Sequence, residues 1–213
     1  MSAMVEQGID VVRLNMSHGS QDDHRRRVEL VRDAAEKHGR SIGLLVDLQG
    51  PKIRIGEFVN GKIQLRNGKN FSIDSALGER EGNEQVVGTS YTSLVDDVNS
   101  GDRLLLDDGN IVLEVKKVEG TTILTRVIVS GELSNSKGIN KLGGGLSAEA
   151  LTEKDHEDIR FAAEIGADYL GVSFVRHGAD VETARMLVRA AGSDAHVISK
   201  IERREAIDNM IEI

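Results

Sequence analysis

Hydrophobic and polar positions divide the chain into three blocks with different periodicities. Residues 1–49 and 141–213 alternate short apolar runs with stretches whose apolar residues recur at helical spacing. Residues 50–140 instead contain short β-type runs separated by Asn-Gly, Asp-Gly and Glu-Gly turn signals. The pattern predicts two stretches of β/α alternation with a small all-β domain, a barrel or a sandwich, between them.

The two β/α blocks contain four predicted strands. Their continuous apolar character is typical of parallel strands that are buried on both faces. We predict strands at 10–15, 41–48, 169–174 and 196–201, and helices at 22–38, 152–164, 180–191 and from about 203. An α/β barrel is the closed form that fits this alternation, but four strands cannot close an eight-stranded barrel. The pattern leaves open a smaller open sheet or a part of a longer barrel.

The middle block is predicted to contain five strands. They cover residues 62–65, 70–73, 103–106, 111–118 and 121–129. The residues 107–110, with the sequence DDGN between two apolar runs, predict a β-hairpin.

Composition narrows the class of protein. The 213 residues include 27 Lys+Arg and 35 Asp+Glu, a formal charge of −8, with 39% hydrophobic and 29% charged residues. An acidic chain without a basic run disfavours nucleic acid and anionic membranes as partners. No apolar run is long enough to span a bilayer, the first residues do not resemble a secretory signal, and cysteine is absent. We therefore expect a cytoplasmic protein without disulfides or thiolate metal sites.

Polar residues at the carboxyl ends of the predicted strands are the main candidates for chemistry. Because side chains alternate along a strand, Arg13, Asn15 and Ser17 share one face if the first strand extends that far. Asp47 closes the second strand, at the edge where α/β folds build active sites. Each could also be an ordinary strand end or turn residue.

Lys200 and Glu202 are the strongest pair. They lie two residues apart at the end of an apolar strand, where a buried lysine is costly unless it is paired or functional. The carboxylate could hold Mg²⁺ while the ammonium remains available to a substrate. A simple ion pair at a strand end is the alternative interpretation.

Two further segments could bind phosphate. Lys52 and Arg54 lie at the start of the middle block, and the glycine-rich segment 135–145 contains Lys137. A solvated edge and an interdomain hinge explain these segments equally well. The six histidines show no metal-ligand spacing, and we interpret most of them as surface residues.

Five motifs, in order and spacing, resemble the pyruvate kinase family, in particular its bacterial members. They are RLNMSHG at 13–19, DLQGPKIR at 47–54, KGIN at 137–140, LTEKD at 151–155 and SKIE at 199–202. The resemblance implies a partial (β/α)8 TIM barrel with an inserted β-barrel lid, over 1–49, 50–140 and 141–213. It also implies phosphoryl transfer from phosphoenolpyruvate to ADP in glycolysis, by a cytoplasmic homotetramer that uses Mg²⁺ and K⁺.

The resemblance also implies roles for individual residues. Those implied are Arg13 and Lys200 for substrate and catalysis; Arg54, Lys137, Asn15 and His18 for the nucleotide; Glu202 for Mg²⁺; and Asn15, Ser17 and Asp47 for a monovalent cation.

Two departures from the family pattern carry expectations. Lys52 stands where potassium-dependent members carry Glu, so its ammonium is expected to replace K⁺. Family segments expected before residue 1 and after residue 213 are absent, so we expect these 213 residues alone to be inactive or nearly so. The alternatives are a metal-dependent aldolase or lyase of the phosphoenolpyruvate/pyruvate type and a non-catalytic β-domain interaction module.

Overall fold

A computed structural model describes all 213 residues, which form two compact units: residues 1–51 with 149–213, and residues 52–148. In chain order the elements are α1 (Ser2–Glu6), β1 (Val11–Asn15), α2 (Gln21–Lys37), β2 (Gly43–Asp47), β3 (Lys62–Leu65), β4 (Asn70–Asp74), β5 (Val86–Gly88), α3 (Leu94–Asp97), β6 (Arg103–Leu106), β7 (Ile111–Glu119), β8 (Thr122–Val129), β9 (Gly131–Ser134), β10 (Ile139–Lys141), α4 (Glu153–Glu164), β11 (Tyr169–Val172), α5 (Gly178–Ala190), β12 (His196–Ser199) and α6 (Arg204–Asp208).

The first unit is an α/β half-barrel. Its four strands are parallel and follow the order β1-β2-β11-β12. The register pairs Asn15 with Asp47, Asp47 with Gly171, and Val172 with Ser199, so all four carboxyl ends meet at one edge. The predicted fold class, a partial (β/α)8 barrel with an all-β insertion, is confirmed.

Helices α2 and α4 begin at matching caps. In each, a hydroxyl residue accepts a hydrogen bond from the backbone of the third helical residue, whose carboxylate bonds back to the cap. The pairs are Ser20 with Asp23 and Thr152 with Asp155. Behind the caps, apolar side chains of both helices pack with the strands in one core.

The second unit is all β. Its six-stranded sheet has the order β10-β6-β7-β8-β4-β5, and β3 pairs with β9 in a separate two-stranded sheet. A single apolar core, including Phe71 and Ile123, fills this unit. The predicted hairpin at 107–110 joins β6 to β7, and Asp107 and Asp108 both have positive φ.

The β unit extends to Ala148, beyond the predicted boundary near residue 140. Lys141 Nζ lies 2.9 Å from the carboxylate of Asp102 and donates to the Asp97 carbonyl at 2.8 Å. Ser147 N donates to Asp97 Oδ2 at 2.8 Å. These bonds hold residues 141–148 to the β unit.

Several predicted features differ from the structure. Strand β12 ends at Ser199 rather than 201, so Lys200 and Glu202 follow the strand. Strand β11 ends at Val172 rather than 174, because Phe174 turns the chain with φ +57°. The segment 135–145 is not wholly a loop, since β10 within it pairs with β6. Most of the six histidines were expected on the surface, but only His18 and His196 are exposed. His24 is fully buried, and its burial and the neighbouring Arg27 lower its pKa.

None of the helices is both long and apolar enough to cross a membrane.

Candidate active site

The carboxylate of Asp47 joins two of the predicted cationic residues. Asp47 is 3% exposed at the end of β2. Its Oδ2 accepts a hydrogen bond from Arg13 Nε at 2.6 Å and lies 2.5 Å from Arg13 Nη2. Its Oδ1 lies 3.0 Å from Lys200 Nζ. Gly171, in register beside it, leaves room for this carboxylate, since an added Cβ would lie 3.3 Å from Oδ1.

Lys200 immediately follows β12, and three side-chain oxygens lie around its ammonium. Nζ donates to Ser173 Oγ at 2.8 Å and lies 3.2 Å from Glu202 Oε1, in addition to its contact with Asp47. The side chain is 31% exposed, so the cation is both held and accessible. Such a fixed charge suits the binding of an anionic group.

Glu202 has both carboxylate oxygens in contact with the protein. Oε1 faces Lys200, and Oε2 accepts a hydrogen bond from Phe174 N at 3.1 Å. The chain contains no group of three or more His, Asp or Glu side chains that could hold a metal ion. Glu202 could therefore supply one oxygen ligand to Mg²⁺, with other ligands from substrate oxygens, water or further protein groups.

The turn after β1 contains the other predicted residues of this unit. Because β1 ends at Asn15, Ser17 does not share a strand face with Arg13: its N–H instead donates to Asn15 Oδ1 at 2.9 Å. His18 follows on the exposed surface. Lys154 Nζ supports the turn by donating to the Met16 carbonyl at 3.0 Å.

Arg54 and Lys137 come together within the β unit. Arg54 Nη1 donates to the Ser136 carbonyl at 3.0 Å, and Arg54 forms an antiparallel bridge with Gly138. Lys137 Nζ lies 2.7 Å from Asp107 Oδ1, and its hydrogen bond holds the pKa of Asp107 below the usual value. Ser136, like Asp107, has a positive φ. Strained backbone is thus concentrated around this pair of cations.

Lys52 also belongs to the β unit. Its side chain is half-buried, and its carbonyl accepts a hydrogen bond from Ser90 Oγ at 2.7 Å.

Three residues that the sequence analysis did not single out support the edge of the half-barrel. Ser173 is 2% exposed and donates from Oγ to the Leu48 carbonyl at 2.7 Å. Gly50 has φ +62°, and an added Cβ would lie 3.0 Å from atoms of Ser173 and Phe174. Asp155 Oδ1 accepts from Gly50 N at 3.0 Å. A polar residue after the apolar run of β11 was the available signal for Ser173.

A family model described as pyruvate kinase, barrel domain, matches residues 1–213. The chain belongs to the pyruvate kinase family. It is 53% identical over 207 residues to pyruvate kinase II of Salmonella typhimurium and 50% identical over 209 residues to a pyruvate kinase of Haemophilus influenzae. A pyruvate kinase of Corynebacterium glutamicum is 43% identical over 207 residues.

These alignments cover 97%, 98% and 97% of this chain but only 43%, 44% and 43% of the respective relatives. The chain therefore spans less than half the length of these pyruvate kinases. The prediction of the family is confirmed, and relatives with this name do not support the aldolase or interaction-module alternatives.

Within the pyruvate kinase half-barrel, the structure brings together Arg13, Asp47, Lys200 and Glu202. It also brings together Arg54 and Lys137 within the β unit. Ser17 N donates a hydrogen bond to the side chain of Asn15. Asn15, Ser17 and His18 belong to neither of these two groups of residues. The roles implied for these residues remain predictions.

Proposed function

We propose that this chain contributes the phosphoryl-transfer site of a pyruvate kinase, which converts phosphoenolpyruvate and ADP to pyruvate and ATP. The observation that carries the proposal is the pair of cations, Arg13 and Lys200, fixed on one buried carboxylate at the strand-end edge. Membership of the family supports it. Phosphoryl transfer depends chiefly on positioning and charge neutralisation, and such an arrangement supplies both.

In the proposed reaction, an oxygen of the ADP β-phosphate forms a bond to phosphorus as the bond between phosphorus and the enol oxygen breaks. The electron pair stays on the enol oxygen, and the resulting enolate takes up a proton to give pyruvate. Arg13 binds the substrate phosphate, and Lys200 stabilises both the transferring group and the enolate. The side chains of both cations are accessible, at 55% and 31% exposed.

For the nucleotide we propose Arg54 and Lys137 of the β unit; Asn15 and His18 are the further candidates that the family pattern implies. Two neighbouring cations suit a diphosphate, because a guanidinium binds phosphate oxygens in a fork and an ammonium acts as a point charge.

Glu202 is the proposed protein ligand of Mg²⁺. When bound, the ion neutralises phosphate charge. Glu202 is suited to this role because it is a carboxylate beside Lys200 at the same edge.

We further propose that the Lys52 ammonium removes the requirement for a monovalent cation, for which the family pattern implies Asn15, Ser17 and Asp47 as ligands. The protein should then be active without K⁺, and Lys52→Glu should create a requirement for it. Activity is measured in tetramethylammonium buffer against added KCl. Strong activation of the unaltered protein by K⁺ would contradict this assignment.

The biological setting extends the family proposal. We propose a cytoplasmic homotetramer acting in glycolysis, with phosphoenolpyruvate and ADP or ATP as ligands and no nucleic-acid or membrane partner. Light scattering of the purified protein tests the assembly.

The decisive experiment follows pyruvate formation from phosphoenolpyruvate and Mg²⁺ with and without ADP. We expect strict ADP dependence and stoichiometric ATP. Lys200→Met should abolish turnover, whereas Lys116→Met, which removes an exposed lysine paired with Glu114, should not. Pyruvate formed without ADP would instead favour the aldolase or lyase class.

The assay should test the 213 residues alone and in place of the matching part of one of the full-length relatives, of which they span less than half. We propose that these 213 residues alone are inactive or nearly so, because they offer Mg²⁺ the carboxylate of Glu202 but no group of three or more acidic or histidine side chains.

A further inference from the structure

The buried hydroxyl of Ser173 lies between two strand ends that carry the proposed site. It follows β11, and its Oγ contacts the Leu48 carbonyl just after β2 and the ammonium of Lys200 just after β12. Backbone bonds support the same arrangement: Leu48 N donates to the Gly171 carbonyl and Lys200 N to the Val172 carbonyl, each at 2.9 Å. Ser173 therefore belongs to a rigid connection across three neighbouring strands.

The direction of these hydrogen bonds is fixed by chemistry. A carbonyl can only accept, so the single proton of the Ser173 hydroxyl is committed to Leu48 at 2.7 Å. An ammonium can only donate, so the hydroxyl oxygen accepts from Lys200 at 2.8 Å. The hydroxyl thus presents a lone pair, and no proton, to the cation.

The lysine needs such a restraint. Its long stem has many rotamers, and its charged end is a compact point charge with no planar geometry of its own. Asp47 Oδ1 and Glu202 Oε1 attract the ammonium at 3.0 and 3.2 Å, whereas Ser173 makes the shortest of the three contacts. A short, directed acceptor selects one position of the ammonium between the two carboxylates.

We propose that Ser173 is a positioning residue for Lys200, holding its ammonium where the phosphoryl group transfers. This inference rests on the proposed function for its catalytic consequence, but the restraint on Lys200 is independent of activity. The competing explanation is that Ser173 serves only to satisfy the Leu48 carbonyl and to fill space.

Two variants separate hydrogen bonding from packing, and the reactivity of Lys200 then separates its restraint from the bond to Leu48. Ser173→Ala removes the hydroxyl. Ser173→Cys keeps a side chain of similar shape but replaces the hydroxyl with a thiol, which is a weak donor and a weak acceptor. If the hydrogen bond matters, both should behave alike. If only packing matters, the cysteine variant should resemble the unaltered protein.

The first measurement is the acylation rate of each lysine by an N-hydroxysuccinimide ester, read by peptide mass spectrometry. Lys200 should react about threefold faster or more in both variants, because one acceptor of its protons is lost. Lys154, a lysine of the same unit that is held by the Met16 carbonyl and Asp158, should be unchanged, which excludes general unfolding of the half-barrel. An unchanged Lys200 rate in both variants would overturn the proposal.

The second measurement is steady-state kinetics. Both variants should lose about tenfold in kcat, the effect of one lost charge-assisted hydrogen bond, with the KM for ADP unchanged. A kcat within twofold of the unaltered protein would overturn the positioning role. If the unaltered residues support no ADP-dependent activity even within a full-length relative, the proposed function fails, and the acylation rates still decide the restraint on Lys200.

Discussion

The half-barrel and the β unit hold their candidate phosphate-binding cations in different ways. In the half-barrel, Arg13 and Lys200 share Asp47, whose side chain is 5% exposed. In the β unit, Lys137 pairs with Asp107, whose side chain is 22% exposed at the tip of a hairpin. The ion pairs of the half-barrel therefore lie at a sheet edge, whereas the ion pair of the β unit lies at a turn.

The difference in burial changes what each pair does. A buried carboxylate without its cations would be costly, so Asp47 and its partners favour a single arrangement. A half-buried pair contributes less to stability and breaks more readily than a buried one, so Lys137 can exchange Asp107 for another anion. We infer that the half-barrel provides a fixed set of charges, whereas the β unit provides a cation that a nucleotide phosphate can recruit.

Removing the buried carboxylate should have the largest effect. Asp47→Asn should lower kcat/KM for phosphoenolpyruvate about 100-fold or more, because both cations lose their shared anchor. The free energy of unfolding should fall by roughly 1–3 kcal/mol. The measurements are the coupled assay and urea denaturation.

Asp168→Asn is the matched control for that variant. Asp168 lies just before the amino end of β11, whereas the proposed site is at the carboxyl ends of the strands. Its Oδ2 accepts a hydrogen bond from Leu44 N at 2.8 Å. This control should lose stability with kcat/KM within about twofold of the unaltered protein, because it contacts no proposed site residue. If Asp47→Asn matched its activity, Asp47 would not organise the site.

Lys137→Met should have an intermediate effect. We expect the KM for ADP to rise about tenfold and the KM for phosphoenolpyruvate to stay within twofold, because only a nucleotide contact is removed. Initial rates with each substrate varied give both constants, and Lys116→Met is the control in the same unit. An equal rise in both KM values would argue against the nucleotide assignment.

Asp107→Asn should have the smallest effect, and in the opposite direction. Without its carboxylate counterion, Lys137 no longer has to break an ion pair, so the dissociation constant for ADP should fall about two- to fivefold. Isothermal titration measures this change. Weaker ADP binding would show that Asp107 orients Lys137 rather than competing with the nucleotide.

The pH dependence follows from the lowered pKa of Asp107. A carboxylate with a lowered pKa in the folded state stays ionised at neutral pH, and its stabilising effect is lost only as the pH falls through that value. The gain in ADP affinity should therefore be constant between about pH 6 and 8.

Much of the half-barrel could be predicted from the sequence, because parallel strands buried on both faces leave a strong apolar signal. The predicted run at 41–48 contains β2, and the hairpin at 107–110 joins the strands that its turn residues indicated. Strand ends were less certain. The turn at Phe174 requires a positive φ, which is rare for a bulky aromatic residue and is therefore not predicted from the sequence.

The site was predictable in its charges but not in its supports. Lys200 and Glu202 stood out because a polar pair ended an apolar strand. Ser173 did not, since one serine after an apolar run is common and its two partners come from distant parts of the chain. His24 was misjudged because burial depends on how α2 packs, which helical spacing alone does not reveal.

Asp155 carries a consequence for engineering. One of its oxygens completes the cap of α4, while the other accepts from the backbone of Gly50, next to the proposed site. Asparagine could keep only one of these acceptors, because its amide offers a single oxygen. Attempts to raise thermal stability by redesigning this helix start would therefore also loosen the loop after β2, and Asp155 is a position to leave unchanged.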